Sequence, residues 1–179
     1  MDIIHNPHRN EGIDTAILRD IPFPSTNSTQ VKELLSRCPS AAVTPLVNAE
    51  QMAREQSVGQ ISIKDERQRM GLGSFKALGA AYVIAYRAMI EGESQVGKTY
   101  VTSSAGNHGL SVAAGAKAFG ANSVVYISKT VPEAFATRLM AEGAKVVRAG
   151  QIYEESMEAA KPAAEDNGWV LLSDTSWPE

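Results

Sequence analysis

The sequence predicts an α/β fold, a parallel sheet with helices on both faces. Three observations carry that expectation. Four β-branched or aromatic runs, TYVTS (99–103), SVVYIS (123–128), KVVRA (145–149) and WVLLS (169–173), begin about every two dozen residues. Segments of helical length fill the gaps, near 107–119, 133–142 and 153–166. Gly120 and Gly143 stand where helix C-caps are wanted. Strands alternating with helices of this length imply βαβ units and a sheet covered on both sides.

The elements before this rhythm are shorter. The first thirty residues, with Pro7, Pro22, Pro24 and STNS (25–28), lack sustained periodicity and read as a tail or surface wrap with a short apolar patch at Ala16–Leu18. A short helix is expected over Thr29 to Arg37. TPL (44–46) reads as extended, because the residue before a proline is pushed out of the helical region. Ala49 to Gln56 reads as helix, and QISIK (60–64) alternates like a strand before the charged run KDERQR (64–69). That run is most simply a solvated loop, though an acidic residue there could face a bound cofactor. GLGSFKALGAAYVIAYRAM (71–89) then reads as one helix, apolar on nearly every side, capped by Ser74.

Composition narrows the function classes. The 179 residues are 44% apolar with a net charge of -3, which suits a globular chain with a real core and gives no argument for nucleic acid or an anionic membrane surface. One cysteine, Cys38, excludes an intrachain disulfide and fits a reducing cytoplasm. The charged N-terminus is not a signal peptide, and the longest nearly apolar run, Ala77 to Tyr86, is too short to span a bilayer. His5 and His8 lack a third ligand, so no metal site is expected.

One motif is refused. GESQVGKT (92–99) matches the phosphate-loop pattern at every fixed position, but that mechanism needs a strand before the loop and a helix after it. Here a helix ends near Glu91 and a strand begins near Thr99, so a turn is expected. GLGSFK fails as a dinucleotide fingerprint because Lys76 occupies the third glycine position.

Two stretches carry chemistry. Lys76 falls in the first turn of the apolar helix, at the end where the macrodipole disfavours a cation. Burial and the positive helix end would both favour a neutral amine, the form that Schiff-base chemistry with a carbonyl requires. A snorkelling surface lysine is the alternative. The second stretch, TSSAGNHG (102–109), follows a strand and opens a helix, where backbone N–H groups point at an anion. Ser103, Ser104 and Asn107 add polar side chains, while Gly106 and Gly109 would let a ligand approach the main chain. An ordinary glycine-rich connection is the alternative there. His108 could serve as acid or base, or shape the loop.

SFKALGA (74–80) followed by SAGNHG (104–109) resembles the fold-type II pyridoxal-phosphate enzymes, which include threonine and serine dehydratases, threonine synthase and the tryptophan synthase β-subunit. The longer stretch KDERQRMGLGSFKALGAAY (64–82), with SDTSW (173–177), looks closest to diaminopropionate ammonia-lyases. The resemblance implies pyridoxal 5'-phosphate as cofactor. It implies that Lys76 holds the cofactor covalently and then removes the substrate α-proton, that Phe75 packs on the pyridine ring, and that Asn107 bonds its phenolic oxygen. Ser104, with Ala105, Gly106, Asn107 and His108, would hold the carboxylate of a small amino acid.

The implied reaction is α,β-elimination to a 2-keto acid and ammonia, on 2,3-diaminopropionate or a similar substrate. Ala105 stands where ammonia-lyases carry an aspartate, which moves the turn toward the dehydratases, the alternative activity. After Gly150 the only glycine is Gly168, so no glycine-rich phosphate loop is present. The chain is therefore expected to be an N-terminal half. Residues 1–97 would belong to the large cofactor domain and 98–174 to a small βα-repeat domain, with the rest of the large domain absent. A homodimer is implied at full length, and a non-catalytic, partner-binding half-domain is the remaining alternative.

Overall fold

The computed structural model describes residues 25–174, together with Pro7 and Gly12. The apolar patch Ala16–Leu18, the pair His5 and His8, and the 175–177 part of SDTSW lie outside the described residues. The elements are α1 (Thr29–Arg37), β1 (Leu46–Asn48), α2 (Glu50–Glu55), β2 (Ser62–Lys64), α3 (Ala80–Met89), β3 (Thr99–Ser103), α4 (Asn107–Ala118), β4 (Asn122–Ile127), α5 (Glu133–Ala141), β5 (Lys145–Arg148), α6 (Tyr153–Asn167) and β6 (Val170–Leu171).

Four of the strands form one parallel sheet in the order β5-β4-β3-β6. The alternation along each strand decides which helix it meets. Tyr100, Val125 and Ile127 face α3, α4 and α5, burying Ile84, Leu110, Val112 and Leu139. Val101 and Val124 face the opposite side and cover Ala160 and Ala164 of α6. The sheet is thus covered on both faces, as its strand composition requires. Gly120 and Gly143 follow α4 and α5 with φ of 70° and 89°, the left-handed conformation a glycine adopts without strain.

The long apolar stretch is not one helix. Gly79, at φ -93° and ψ -92°, separates a 3₁₀ turn, Phe75–Leu78, from α3. α3 packs tightly on α4 because Gly115 carries no side chain. A Cβ there would lie 2.8 Å from Ala81 Cα and 3.1 Å from Ile84 Cδ1. The Ser111 hydroxyl, fully buried on α4, accepts the Ala81 N–H at 3.1 Å and so satisfies a free donor at the start of α3.

The short strands β1 and β2 pair antiparallel and are fastened to the rest by an ionic cluster. Arg69 donates to both oxygens of Glu66, at 2.6 and 2.7 Å, and to Ala42 O at 3.0 Å. Thr44 donates its hydroxyl to Glu66 at 2.5 Å and accepts from Arg69 at 2.8 Å, while Lys64 Nζ holds Thr44 O at 2.5 Å. The KDERQR run is therefore a clamp rather than a freely solvated loop: Glu66 joins this cluster, and Asp65 pairs with Arg67 at 2.6 Å. GESQVGKT forms the connection from α3 to β3, with Lys98 Nζ bound to Glu93 at 2.5 Å just before the strand.

Two outcomes are expected. Replacing a helical glycine by alanine ordinarily gains about 1 kcal/mol, but the backbone contact at Gly115 costs about 1–3 kcal/mol. Gly115→Ala should therefore lower the urea midpoint rather than raise it. Arg69, and then Thr44, hold the Glu66 carboxyl down at about 2 from an ordinary 4.5. Because the folded value lies below the unfolded one, the contribution is complete above the ordinary range and is lost as pH falls toward 2. Urea midpoints from pH 6 to about 2 should fall less steeply in Glu66→Gln than in the parent chain.

Candidate active site

Lys76 owes its position to the 3₁₀ turn. Ser74 is extended, and its hydroxyl accepts the Lys76 N–H at 3.2 Å, the capping role expected of it. Three residues per turn point Ala77 into the core, 1% exposed, and leave Phe75 outside, 63% exposed. The Lys76 side chain is 37% exposed, and its Nζ lies 3.2 Å from Asp174 Oδ2. Both premises of the buried-amine argument change accordingly. Lys76 precedes α3 instead of occupying its first turn, and its amine is half-buried beside a carboxylate. The helix-dipole conflict was a consequence of reading through Gly79.

The second stretch folds as expected, from the end of β3 into α4. Within it, Ser103 does not serve the turn: it is buried, and its hydroxyl bonds Ser156 of α6 at 2.7 Å. Ser104 Oγ accepts the Gly106 N–H at 3.3 Å. The two glycines differ in what they allow. A Cβ at Gly109 would lie 2.2 Å from Ser104 O, so its role is to let the turn's own carbonyl approach α4. A Cβ at Gly106 would meet nothing within 4 Å, so that side of the turn is open to a ligand. Asn107 is exposed at the start of α4.

His108 is buried, and its Nε2 lies 2.9 Å from Leu172 O. A carbonyl can only accept, so Nε2 carries the proton and donates. This bond and the Lys76–Asp174 pair bring the two stretches together, because Leu172 and Asp174 are two residues apart just beyond β6. β3 and β6 are parallel, so the turn and Asp174 lie at the same, C-terminal edge of the sheet, where α/β folds bind ligands. Tyr153, which opens α6, borders the same carboxylate: burial, then the charge of Asp174 and of Glu154, raises its phenol above the ordinary value.

Asp174, Leu172, Ser111 and Tyr153 were not singled out from the sequence. Asp174 lay within SDTSW, but nothing in the spacing linked it to a lysine 98 positions away.

The residues present fit one side of pyridoxal 5'-phosphate. They supply an accessible amine, an exposed aromatic ring beside it, and a turn open at Gly106. Among the described residues no cluster of three or more metal-ligating side chains occurs, and no helix is long and apolar enough to cross a membrane.

The chain is similar to known proteins in sequence and in fold. Diaminopropionate ammonia-lyase of Salmonella typhimurium is 31% identical over 159 residues, covering 79% of this chain and 39% of that enzyme. A catabolic L-threonine dehydratase of Staphylococcus aureus is 29% identical over 129 residues, covering 72% of this chain and 36% of the dehydratase. The crystal structure of holo diaminopropionate ammonia lyase from Escherichia coli superposes with a TM-score of 0.77 at 25% identity, covering 84% of this chain and 42% of that one. The chain thus spans about two fifths of the length of the relatives it matches. Residues 39–179, which include the lysine turn, the asparagine turn and the segment after β6, match the family model of pyridoxal-phosphate dependent enzymes, and the chain belongs to that family.

Proposed function

We propose that this chain carries the lysine side of an ammonia-lyase site that acts on a small amino acid such as 2,3-diaminopropionate, giving a 2-keto acid and ammonia. The observation that carries this reading is that Lys76 and His108, the residue after Asn107, both bond the segment just beyond β6, at Asp174 and Leu172, at the C-terminal edge of the sheet. Similarity to diaminopropionate ammonia-lyase over 79% of the chain supports the choice of reaction.

In this reading Lys76, Phe75 and Asn107 would hold the cofactor: the Lys76 amine would bind it covalently and would later take the proton from the substrate Cα, the Phe75 ring would pack against it, and the Asn107 amide would donate to its phenolic oxygen. Ser104 and the backbone from Ala105 to His108 hold the substrate carboxylate, using N–H groups at the start of α4. When bound, pyridoxal phosphate supplies the electron sink that makes loss of the α-proton feasible. Residues 1–97 then contribute to the cofactor domain and 98–174 form the βα-repeat domain of a cytoplasmic enzyme that is a homodimer at full length.

A threonine or serine dehydratase is the second reading, favoured by Ala105 in the turn and by the dehydratase relative. A non-catalytic, partner-binding half-domain is favoured by apolar surface at Val43 and Leu46, 97% and 69% exposed.

Titration with pyridoxal phosphate should give a visible absorption band that Lys76→Ala abolishes. The same spectrum from both proteins would contradict the cofactor role of Lys76.

A further inference from the structure

Bonds at Leu172 and Asp174 hold the short segment that follows β6. The Leu172 N–H donates to Val101 O at 2.9 Å, continuing the sheet edge. Leu172 O accepts from His108 Nε2 at 2.9 Å, and Asp174 Oδ2 accepts from Lys76 Nζ at 3.2 Å. The Leu172 side chain is 7% exposed, packed with Tyr100, Ile84 and Val112. The segment is therefore fixed at its root and reaches the lysine only at its tip.

We propose that His108 and Asp174 are positioning residues joined by this strap. His108 sets the course of the chain at Leu172, and Asp174, two residues on, holds the Lys76 amine at the turn that bears Asn107. The inference rests on reading Lys76 as the cofactor lysine. It adds that the turn and the lysine are mechanically coupled rather than merely adjacent.

Three features support the coupling. His108 is 7% exposed in a turn whose neighbour Asn107 is exposed, so its ring is spent on the strap instead of on solvent. Gly109, directly after it, admits Ser104 O, so the backbone next to His108 is packed against the turn. Among the described residues, the hydrogen-bond partner of the Lys76 amine is Asp174. Among the described residues, Tyr153 at the start of α6 also borders Asp174, and Glu154 acts on Tyr153 in turn.

The test measures acetylation of Lys76 by limiting acetic anhydride, in the chain without cofactor, against Lys117 as internal reference. Lys117 is 61% exposed and lies on α4, away from the strap. Asp174→Asn should raise the Lys76 rate about threefold, as loss of a half-exposed ion pair predicts. His108→Asn, whose amide is too short to reach Leu172 O, should raise it equally. His108→Gln, which can restore the donor, should return it to the parent value.

The double variant H108N/D174N should be no faster than Asp174→Asn alone. Insertion of one glycine between Ser173 and Asp174 leaves the buried histidine untouched and should also raise the rate about threefold, which keeps the test decisive if His108→Asn does not fold. A rate unchanged by Asp174→Asn or by the insertion, or effects of H108N and D174N that multiply, would overturn the strap. If these rates shift as expected while pyridoxal phosphate gives no Lys76-dependent band, the strap stands and the proposed activity falls.

Discussion

The arrangement depends on how closely α3 can approach α4. Gly115 lets the Ala81 backbone come within a distance no Cβ would allow, and Ser111 meets the Ala81 N–H in the same interface. A buried donor left unpaired costs about 1–3 kcal/mol, so this hydroxyl fixes the register of α3 as well as its distance. The 3₁₀ turn bearing Lys76 leads directly into α3, and the turn bearing Asn107 leads directly into α4. Packing the start of α3 on the middle of α4 therefore fixes where the lysine turn stands relative to α4 and the asparagine turn that opens it. A larger residue at position 115 would shift the amine relative to the turn before it exposed any core.

The repetitive half of the fold was legible because its signals are local. β-branched runs, helical spacers and terminal glycines fixed β3 to β6 and α4 to α6 within a residue or two, as the matching spans 99–103 and 133–141 show. The lysine stretch was misread because its hydrophobicity runs straight through Gly79, where the backbone breaks. Periodicity alone could not reveal that break. Once the 3₁₀ turn replaces the first turn of a helix, Ala77 takes the buried place and Lys76 the half-exposed one. The role of Gly109 was also misassigned, since what it accommodates is Ser104 O, a contact made by folding the turn back on its own helix. Asp174 escaped notice for a different reason: a pair between residues 98 positions apart leaves no trace in spacing.

The site combines the parallel edge of the sheet, the lysine turn and the glycine-bearing loop. Two details distinguish it: Ala105, which puts a methyl group in the loop, and Asp174, which supplies a carboxylate from another element at 3.2 Å from the lysine amine. Acid–base chemistry at such a site is set by which charged groups surround the amine, so the two positions matter more than their number suggests. The exposed Phe75 ring and the uncovered Val43 and Leu46 lie on the part of the chain that precedes the repetitive sheet.

If Lys76 is the amine that captures the cofactor, borohydride reduction of the chain after incubation with pyridoxal phosphate should fix the pyridoxyl group there. Peptide mapping should then show one dominant site, at Lys76, well above exposed lysines such as Lys117 and Lys161. Label spread evenly over the surface lysines, with no excess at Lys76, would contradict it.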